Sequence, residues 1–139
     1  MIKLAQILLT IAAIQYGLIP PIVDLSDSHL FHEAWPPHAR LHMAWLLAVG
    51  SSLAIYVIFL TWKPSPHQLV QLKHGSVIGC LVLMGFFVSA MSMSLYGGSL
   101  SDIDEPNILF GLNANVLAFS IAALFQITAT FIVHGVVKK

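Results

Sequence analysis

Residues 41–62, LHMAWLLAVGSSLAIYVIFLTW, form an apolar run that contains no Asp, Glu, Lys or Arg. A membrane-spanning helix needs about 20 mostly apolar residues to cross the roughly 30 Å hydrocarbon core of a bilayer. Three further runs of this kind occupy residues 4–23, 76–98 and 116–133. The sequence therefore predicts an all-α integral membrane protein, with a single transmembrane domain over residues 1–139 that folds as a four-helix up-down-up-down bundle.

The composition favours the same class of protein. Hydrophobic residues make up 58% of the 139-residue chain and charged residues only 9%, whereas about 25% of the residues of a soluble domain are charged. The formal net charge is zero, and no basic patch is present, which excludes nucleic acid as a partner. The single cysteine, Cys80, excludes a disulfide within the chain and a zinc site built from several cysteines. The expected partner is the lipid bilayer.

The carboxylates and the lysines lie in different parts of the chain. The loops at 24–40 and 99–115 hold all six carboxylates, whereas the two termini and the loop at 63–75 hold all five lysines. Cytoplasmic loops carry an excess of Lys and Arg, so we predict that both termini are cytoplasmic and that the two acidic loops face outward. We expect the bacterial inner membrane, in which the outward side is the periplasm.

Residues 24–42, DLSDSHLFHEAWPPHARLH, contain four of the seven histidines, three of the six carboxylates and the only arginine. If the second helix begins at Pro36 or Pro37, His38 and His42 lie one turn apart on the same face. Two imidazoles with a carboxylate or a third histidine are typical ligands of zinc, copper or iron. We therefore predict a transition-metal site at this end of the bundle, with ligands drawn from His38, His42, His29, Asp24 and Asp27.

The same end of the bundle also suits a lipid-like small molecule. Histidine changes its charge near physiological pH, so these groups could transfer protons as well as bind a ligand. Both acidic loops would cover the same end of a four-helix bundle, and together they would complete a pocket. For such a ligand we predict contacts from Arg40, as an anion-binding group, and from Trp35, Tyr96 and Asp102.

A purely structural role stays open for each of these residues. Histidines at a membrane interface also hydrogen-bond loop backbone or lipid headgroups, and Arg40 can pair with Glu33 or with a lipid phosphate. His42, however, lies about one turn inside an apolar run, where a polar side chain is costly without a partner. The acidic loop at 99–115 can equally be a solvated turn that sets the orientation of the chain.

A polar stripe is predicted on the last span. Gln126, Thr130 and His134 follow one another at four-residue spacing and therefore share one helical face. No carboxylate accompanies them, so hydrogen bonding between helices is favoured over an ion path.

Residues 29–42 resemble the signature of an uncharacterised family of small four-helix membrane proteins of bacteria and fungi. The first outer loop of that family carries the pattern His-Leu-x-x-x-x-Trp-Pro-Pro-His-Ala-Arg-x-His. This chain departs from the family where Ser28 stands for a threonine and where His32 and Glu33 stand for an Asn-Pro pair. The resemblance covers about a tenth of the chain and implies no activity. The matching positions are His29, Trp35, Pro36, Pro37, His38, Ala39, Arg40 and His42.

Three functions fit these observations. The first is a small membrane protein whose outer end binds a metal or a lipid-like small molecule, with catalysis left open. The second is an accessory subunit of a larger membrane complex that docks through the outer loop. The third, less favoured, is an oligomeric channel or transporter, which four spans per chain would build only as a homo-oligomer.

Overall fold

The structure, a computed structural model, describes residues 1–101 and 108–135. All four of its long helices are long and apolar enough to cross a membrane, which confirms the predicted helical membrane class. They are α1 over Ile2–Asp24, α2 over Pro37–Trp62, α3 over Gln68–Met91 and α4 over Ala114–Gly135.

The third helix lies closer to the N-terminus than the predicted span 76–98. It begins at Gln68, because helical hydrogen bonding continues through polar residues that composition alone assigns to a loop. It ends at Met91, where the hydroxyl and the backbone N–H of Ser92 both donate to the carbonyl of Val88. A 3-10 helical turn over Met93–Leu95 follows, so the regular helix stops before the predicted end.

The first helix contains a π-helical turn over Ile14–Leu18, followed directly by the pair Pro20 and Pro21. Pro21 has no N–H to donate to the carbonyl of Gly17, four residues earlier, as an α-helix would require. The hydroxyl of Ser51 on α2 donates to this carbonyl instead, over 2.9 Å. The proline pair therefore loosens this part of α1, and a neighbouring helix satisfies the freed carbonyl.

Each helix packs against the next one in sequence, and α4 packs against α1 to close the ring. Helices α1 and α2 are antiparallel. Gly17, late in α1, contacts Ser51 in the middle of α2, whereas Gln6, early in α1, donates to the carbonyl of Thr61 at the end of α2. Large apolar side chains such as Leu46 point away from the bundle, as expected where lipid replaces water. Mostly small or aliphatic side chains fill the centre, in two clusters formed by Ala12, Ala13, Tyr16, Ala54, Val57, Leu83 and Ala122, and by Ala5, Leu9, Leu72, Ala129 and Val133.

The predicted polar stripe joins α4 to α3. The fully buried Gln126 donates through Nε2 to the carbonyl of Ser76 over 2.8 Å. The hydroxyl of Ser76 lies 3.4 Å from His134 Nε2, and Cys80 Sγ lies 3.6 Å from Thr130 Oγ1. The prediction of hydrogen bonding between helices is therefore confirmed.

A short antiparallel hairpin precedes α4, with strands β1 over Ile108–Leu109 and β2 over Leu112–Asn113. Both turn residues, Phe110 and Gly111, have positive φ, the backbone conformation that tight hairpin turns require. The side chain of Asn113 then accepts the backbone N–H of Asn115 over 3.0 Å and caps α4. The hairpin was not predicted from the sequence.

Candidate functional site

The loop between α1 and α2 is held against the first turn of α2 by Arg40. Its Nη2 donates to the carbonyl of His32 over 2.9 Å, and its Nε donates to the carbonyl of Trp35 over 3.2 Å. A guanidinium presents its donors in a rigid planar fork, so two fixed acceptors also fix the loop relative to the helix. The residue predicted to bind an anion therefore uses two of its donors on the protein backbone.

His38 and His42 lie next to each other on the outside of α2. Because Pro37 is the first residue of the helix, the two side chains fall one turn apart. Their Nε2 atoms are 3.0 Å apart, and the rings meet edge to face with centroids 4.5 Å apart. Both residues are exposed, and the ring of Trp45 follows at 6.1 Å from that of His42. The arrangement offers two imidazole nitrogens to one position outside the bundle.

Another histidine, His29, lies beside the carboxylate of Asp24 at the end of α1. The Nε2 atom of His29 is 3.8 Å from Asp24 Oδ1, and its Nδ1 atom is 2.8 Å from the hydroxyl of Ser28. Only 19% of the Asp24 side chain and 26% of the His29 side chain are exposed. A sheltered carboxylate is costly without a partner, so we infer that His29 helps to keep Asp24 in this position.

Asp24 and His29 form part of the lining of a cavity of about 640 Å³ between the helices. The remaining lining is mostly apolar and comes from all four helices. Phe86 of α3 and Phe119 of α4 stack in parallel with centroids 3.9 Å apart and form part of its wall. Known small-molecule pockets have volumes of about 300–1,000 Å³ and similarly apolar linings with a few polar groups.

Part of the cavity lining reaches the outside of the bundle, next to the space that lipid tails would fill. Three apolar residues of its lining, Leu46 and Val49 on α2 and Leu81 on α3, are also exposed on the outside of the bundle. The polar groups of the lining lie near helix ends, with Asp24 at the end of α1, Ser89 near the end of α3 and Asn115 at the start of α4. The cavity is therefore polar at the rim and apolar toward the middle of the bundle.

Tyr16 lies deeper in the wall of the cavity, and its hydroxyl is buried. The residue lines the cavity and is only 4% exposed. Its hydroxyl has no hydrogen-bond partner within residues 1–101 and 108–135. A buried hydroxyl without a partner is unfavourable, so a bound molecule with a polar group would stabilise it.

Sequence reasoning did not single out Tyr16, because one tyrosine in an apolar span is typical of ordinary packing. The available signal was its position next to Gly17 and just before Pro20 and Pro21. Such a sequence interrupts helical hydrogen bonding, and π-helical turns in α-helices occur frequently at functional sites.

The five predicted metal ligands do not form one cluster. His38 and His42 make one pair outside the cavity lining, and Asp24 and His29 make another within it. Asp27 lies in a separate depression lined also by Phe31, His32 and Glu33. Across residues 1–101 and 108–135, no three or more His, Cys, Asp or Glu side chains gather closely enough to hold a metal ion. A metal bound by the described residues would therefore have at most two such ligands.

Of the other predicted ligand contacts, neither Tyr96 nor Trp35 is part of the cavity lining. Tyr96 donates its hydroxyl to the carbonyl of Ser89 over 2.8 Å and so caps the end of α3. Trp35 is half-buried in the loop, where its carbonyl accepts from Arg40. Asp102 lies outside the residues that the structure describes.

Over residues 8–133 the chain matches the family described as "Family of unknown function (DUF6640)", and it belongs to that family. Membership of an uncharacterised family agrees with the expectation from the sequence. No curated protein and no solved structure matches the chain. The functional argument therefore rests on the cavity and on the residues around it.

Proposed function

We propose that this membrane protein binds a lipid-like small molecule in the cavity between its helices, with an apolar body and a hydroxyl group at one end. The hydroxyl would lie at the rim, next to Asp24 and His29. The observation that carries the proposal is the combination of a 640 Å³ apolar cavity with a sheltered carboxylate at its rim and an unsatisfied tyrosine hydroxyl deeper inside.

The size and the opening of the cavity support an apolar ligand. Its volume is within the range of known pockets for drug-sized molecules. The opening past Leu46, Val49 and Leu81 would let such a molecule enter from the bilayer without crossing water. The stacked pair Phe86 and Phe119 would give a flat wall for an aliphatic chain or a ring system.

The chemistry of the rim supports a hydroxyl as the polar group. A carboxylate accepts hydrogen bonds and, when ionised, donates none, so Asp24 would accept the hydrogen of a ligand hydroxyl. The nearby His29 supplies a balancing charge when protonated, which favours an uncharged polar group over a cation.

In this proposal the bundle runs up-down-up-down with both termini in the cytoplasm, and the rim of the cavity faces outward. The antiparallel packing of α1 and α2 supports the up-down order of the helices. The lysines at the termini and in the loop at 63–75 support the orientation. A bacterial inner membrane would then present the rim to the periplasm.

Two glycines allow the cavity to be filled without disturbing the helices. A Cβ atom added at Gly50 or at Gly85 meets no other atom within 4 Å, and both residues line the cavity. Gly50→Leu and Gly85→Leu would therefore occupy space that the ligand needs. Gly135→Leu is the matched control, because a Cβ there is equally unhindered and Gly135 is not part of the cavity lining.

The experiment uses the tag-free protein in lipid nanodiscs and a photoreactive long-chain alcohol as the probe. Labelling at α2 and α3, located by peptide mass spectrometry, should fall at least about tenfold in both cavity-filling variants, which corresponds to about 1.4 kcal/mol of binding free energy. Gly135→Leu should label like the wild type. Asp24→Asn should weaken labelling by the alcohol more than labelling by a probe of the same length without the hydroxyl.

Equal labelling of the wild type and both cavity-filling variants would exclude the cavity as the binding site. If the protein instead purifies in a stable complex with a larger membrane protein and its labelling does not depend on the cavity, the docking function gains support.

A further inference from the structure

We propose that His38 and His42 chelate a divalent copper ion through their two Nε2 atoms. This site is independent of the cavity, because neither histidine is part of the cavity lining. The helix start at Pro37 places the two side chains one turn apart at the exposed beginning of α2.

The distance between the two nitrogens favours a particular coordination geometry. Imidazole nitrogens bind first-row metal ions at about 2.0–2.1 Å, so two ligands at a right angle lie about 2.9 Å apart and two ligands at a tetrahedral angle lie about 3.3 Å apart. The Nε2–Nε2 distance of 3.0 Å is set by a hydrogen bond in the metal-free pair, and coordination at a right angle would require the smaller change from it. Tetragonal coordination, with ligands at right angles, is typical of Cu(II) and Ni(II).

Copper is favoured between these two ions by the general order of affinities. For a given set of nitrogen ligands, Cu(II) binds more tightly than Ni(II) or Zn(II). Imidazole is also a suitable ligand for Cu(II), and the exposure of both side chains leaves the remaining coordination positions open to water. The complex would be weaker than a structural site with four protein ligands.

Without a metal, the two Nε2 atoms, which are 3.0 Å apart, form one N–H···N hydrogen bond. In this bond one imidazole donates its N–H and the other accepts. Chelation would break this hydrogen bond and turn both Nε2 lone pairs toward the ion, and the two nitrogens already lie close enough for one ion to reach both.

The test uses the tag-free, full-length protein in detergent micelles and CuCl2 as the probe. Electron paramagnetic resonance should show one Cu(II) ion per chain coupled to two imidazole nitrogens. His38→Gln and His42→Gln should each reduce the affinity by more than about tenfold, since even outer partners of metal ligands change affinity by about 10–100-fold. His67→Gln, a histidine in the loop on the lysine-bearing side, is the matched control and should change nothing.

Trp45 gives a second readout at the site. Its ring lies 6.1 Å from that of His42, so bound Cu(II) should quench its fluorescence. Trp45→Phe should remove most of the quenching and leave the resonance spectrum unchanged. Circular dichroism confirms that each variant keeps its helices.

The proposal is overturned if His38→Gln or His42→Gln binds Cu(II) as tightly as the wild type, or if only one imidazole nitrogen is coupled to the ion. Cavity labelling by the photoreactive alcohol should be the same in His38→Gln and in the wild type. The copper site and the cavity can therefore fail independently of each other.

Discussion

The hydroxyl of Ser51 on α2 donates a 2.9 Å hydrogen bond to the backbone carbonyl of Gly17 on α1. This carbonyl is the one that Pro21 leaves without its helical donor. One contact between helices therefore compensates for a defect within a helix, and it does so next to Tyr16, which lines the cavity. In a bilayer no water is available to take over such a bond, so the interruption of α1 depends on its neighbour.

Ser51→Ala should lower the free energy of unfolding by about 1 kcal/mol, because it removes the donor and leaves the carbonyl unsatisfied. Unfolding of the purified protein by SDS titration measures this change. Ser52→Ala is the matched control, since its hydroxyl is exposed and bonds only to the carbonyl of Ala48 in its own helix. Equal effects of the two variants would mean that the Ser51 bond adds nothing specific.

Gly17→Ala should destabilise the contact between α1 and α2 by about 1–3 kcal/mol, the usual cost of overpacking. The added Cβ would collide with the Cβ of Ala54 and would lie 2.8 Å from the carbonyl oxygen of Gly50. Gly85→Ala, at a position with free space, should be neutral or slightly stabilising. Thermal unfolding in detergent distinguishes the two, and Ala54→Gly should restore part of the stability of Gly17→Ala.

Gln126→Leu should lower stability by about 0.6–1.7 kcal/mol, the range measured for hydrogen bonds between membrane helices. The substitution removes the 2.8 Å bond from Nε2 to the carbonyl of Ser76, which joins α4 to α3. Thr128→Val is its control on the same helix, because the Thr128 hydroxyl is exposed and bonds only to Leu124. An unchanged unfolding midpoint for Gln126→Leu would contradict the assigned role.

Arg40→Lys should loosen the loop between α1 and α2 although it keeps the positive charge. A lysine ammonium lacks the planar fork that reaches the carbonyls of His32 and Trp35 together. Hydrogen exchange of the backbone amides in residues 29–36 should become faster by about tenfold, equivalent to about 1.4 kcal/mol. If exchange stays unchanged in Arg40→Lys but rises in Arg40→Ala, charge rather than geometry holds the loop.

The helical part of the fold was largely predictable. Uncharged runs of the required length mark α2 and α4 closely, because an apolar helix is the way for such a chain to satisfy its backbone in lipid. The ends of α3 were displaced, since polar residues after Gln68 still form helical hydrogen bonds and a 3-10 turn over Met93–Leu95 follows Met91. The hairpin before α4 was missed, because its strands are only two residues long.

The candidate site was predictable only in part. The proximity of His38 and His42 follows from the four-residue spacing and from a helix that begins at a proline, both of which are local. The predicted convergence with Asp27 and His29 depended on the path of an irregular loop, which no periodicity describes. Hydrogen bonds from Arg40 to two loop carbonyls set that path.

The sequence by itself determined that the chain forms helices long and apolar enough to cross a membrane, and that titratable groups collect in residues 24–42, because length, hydropathy and charge act locally along the chain. Only the tertiary structure decided that Tyr16, Asp24 and Phe119 line one cavity and that the two histidine pairs are separate. The reason is physical: a cavity is space that several helices leave between them, so its existence depends on how small and large side chains meet across helices.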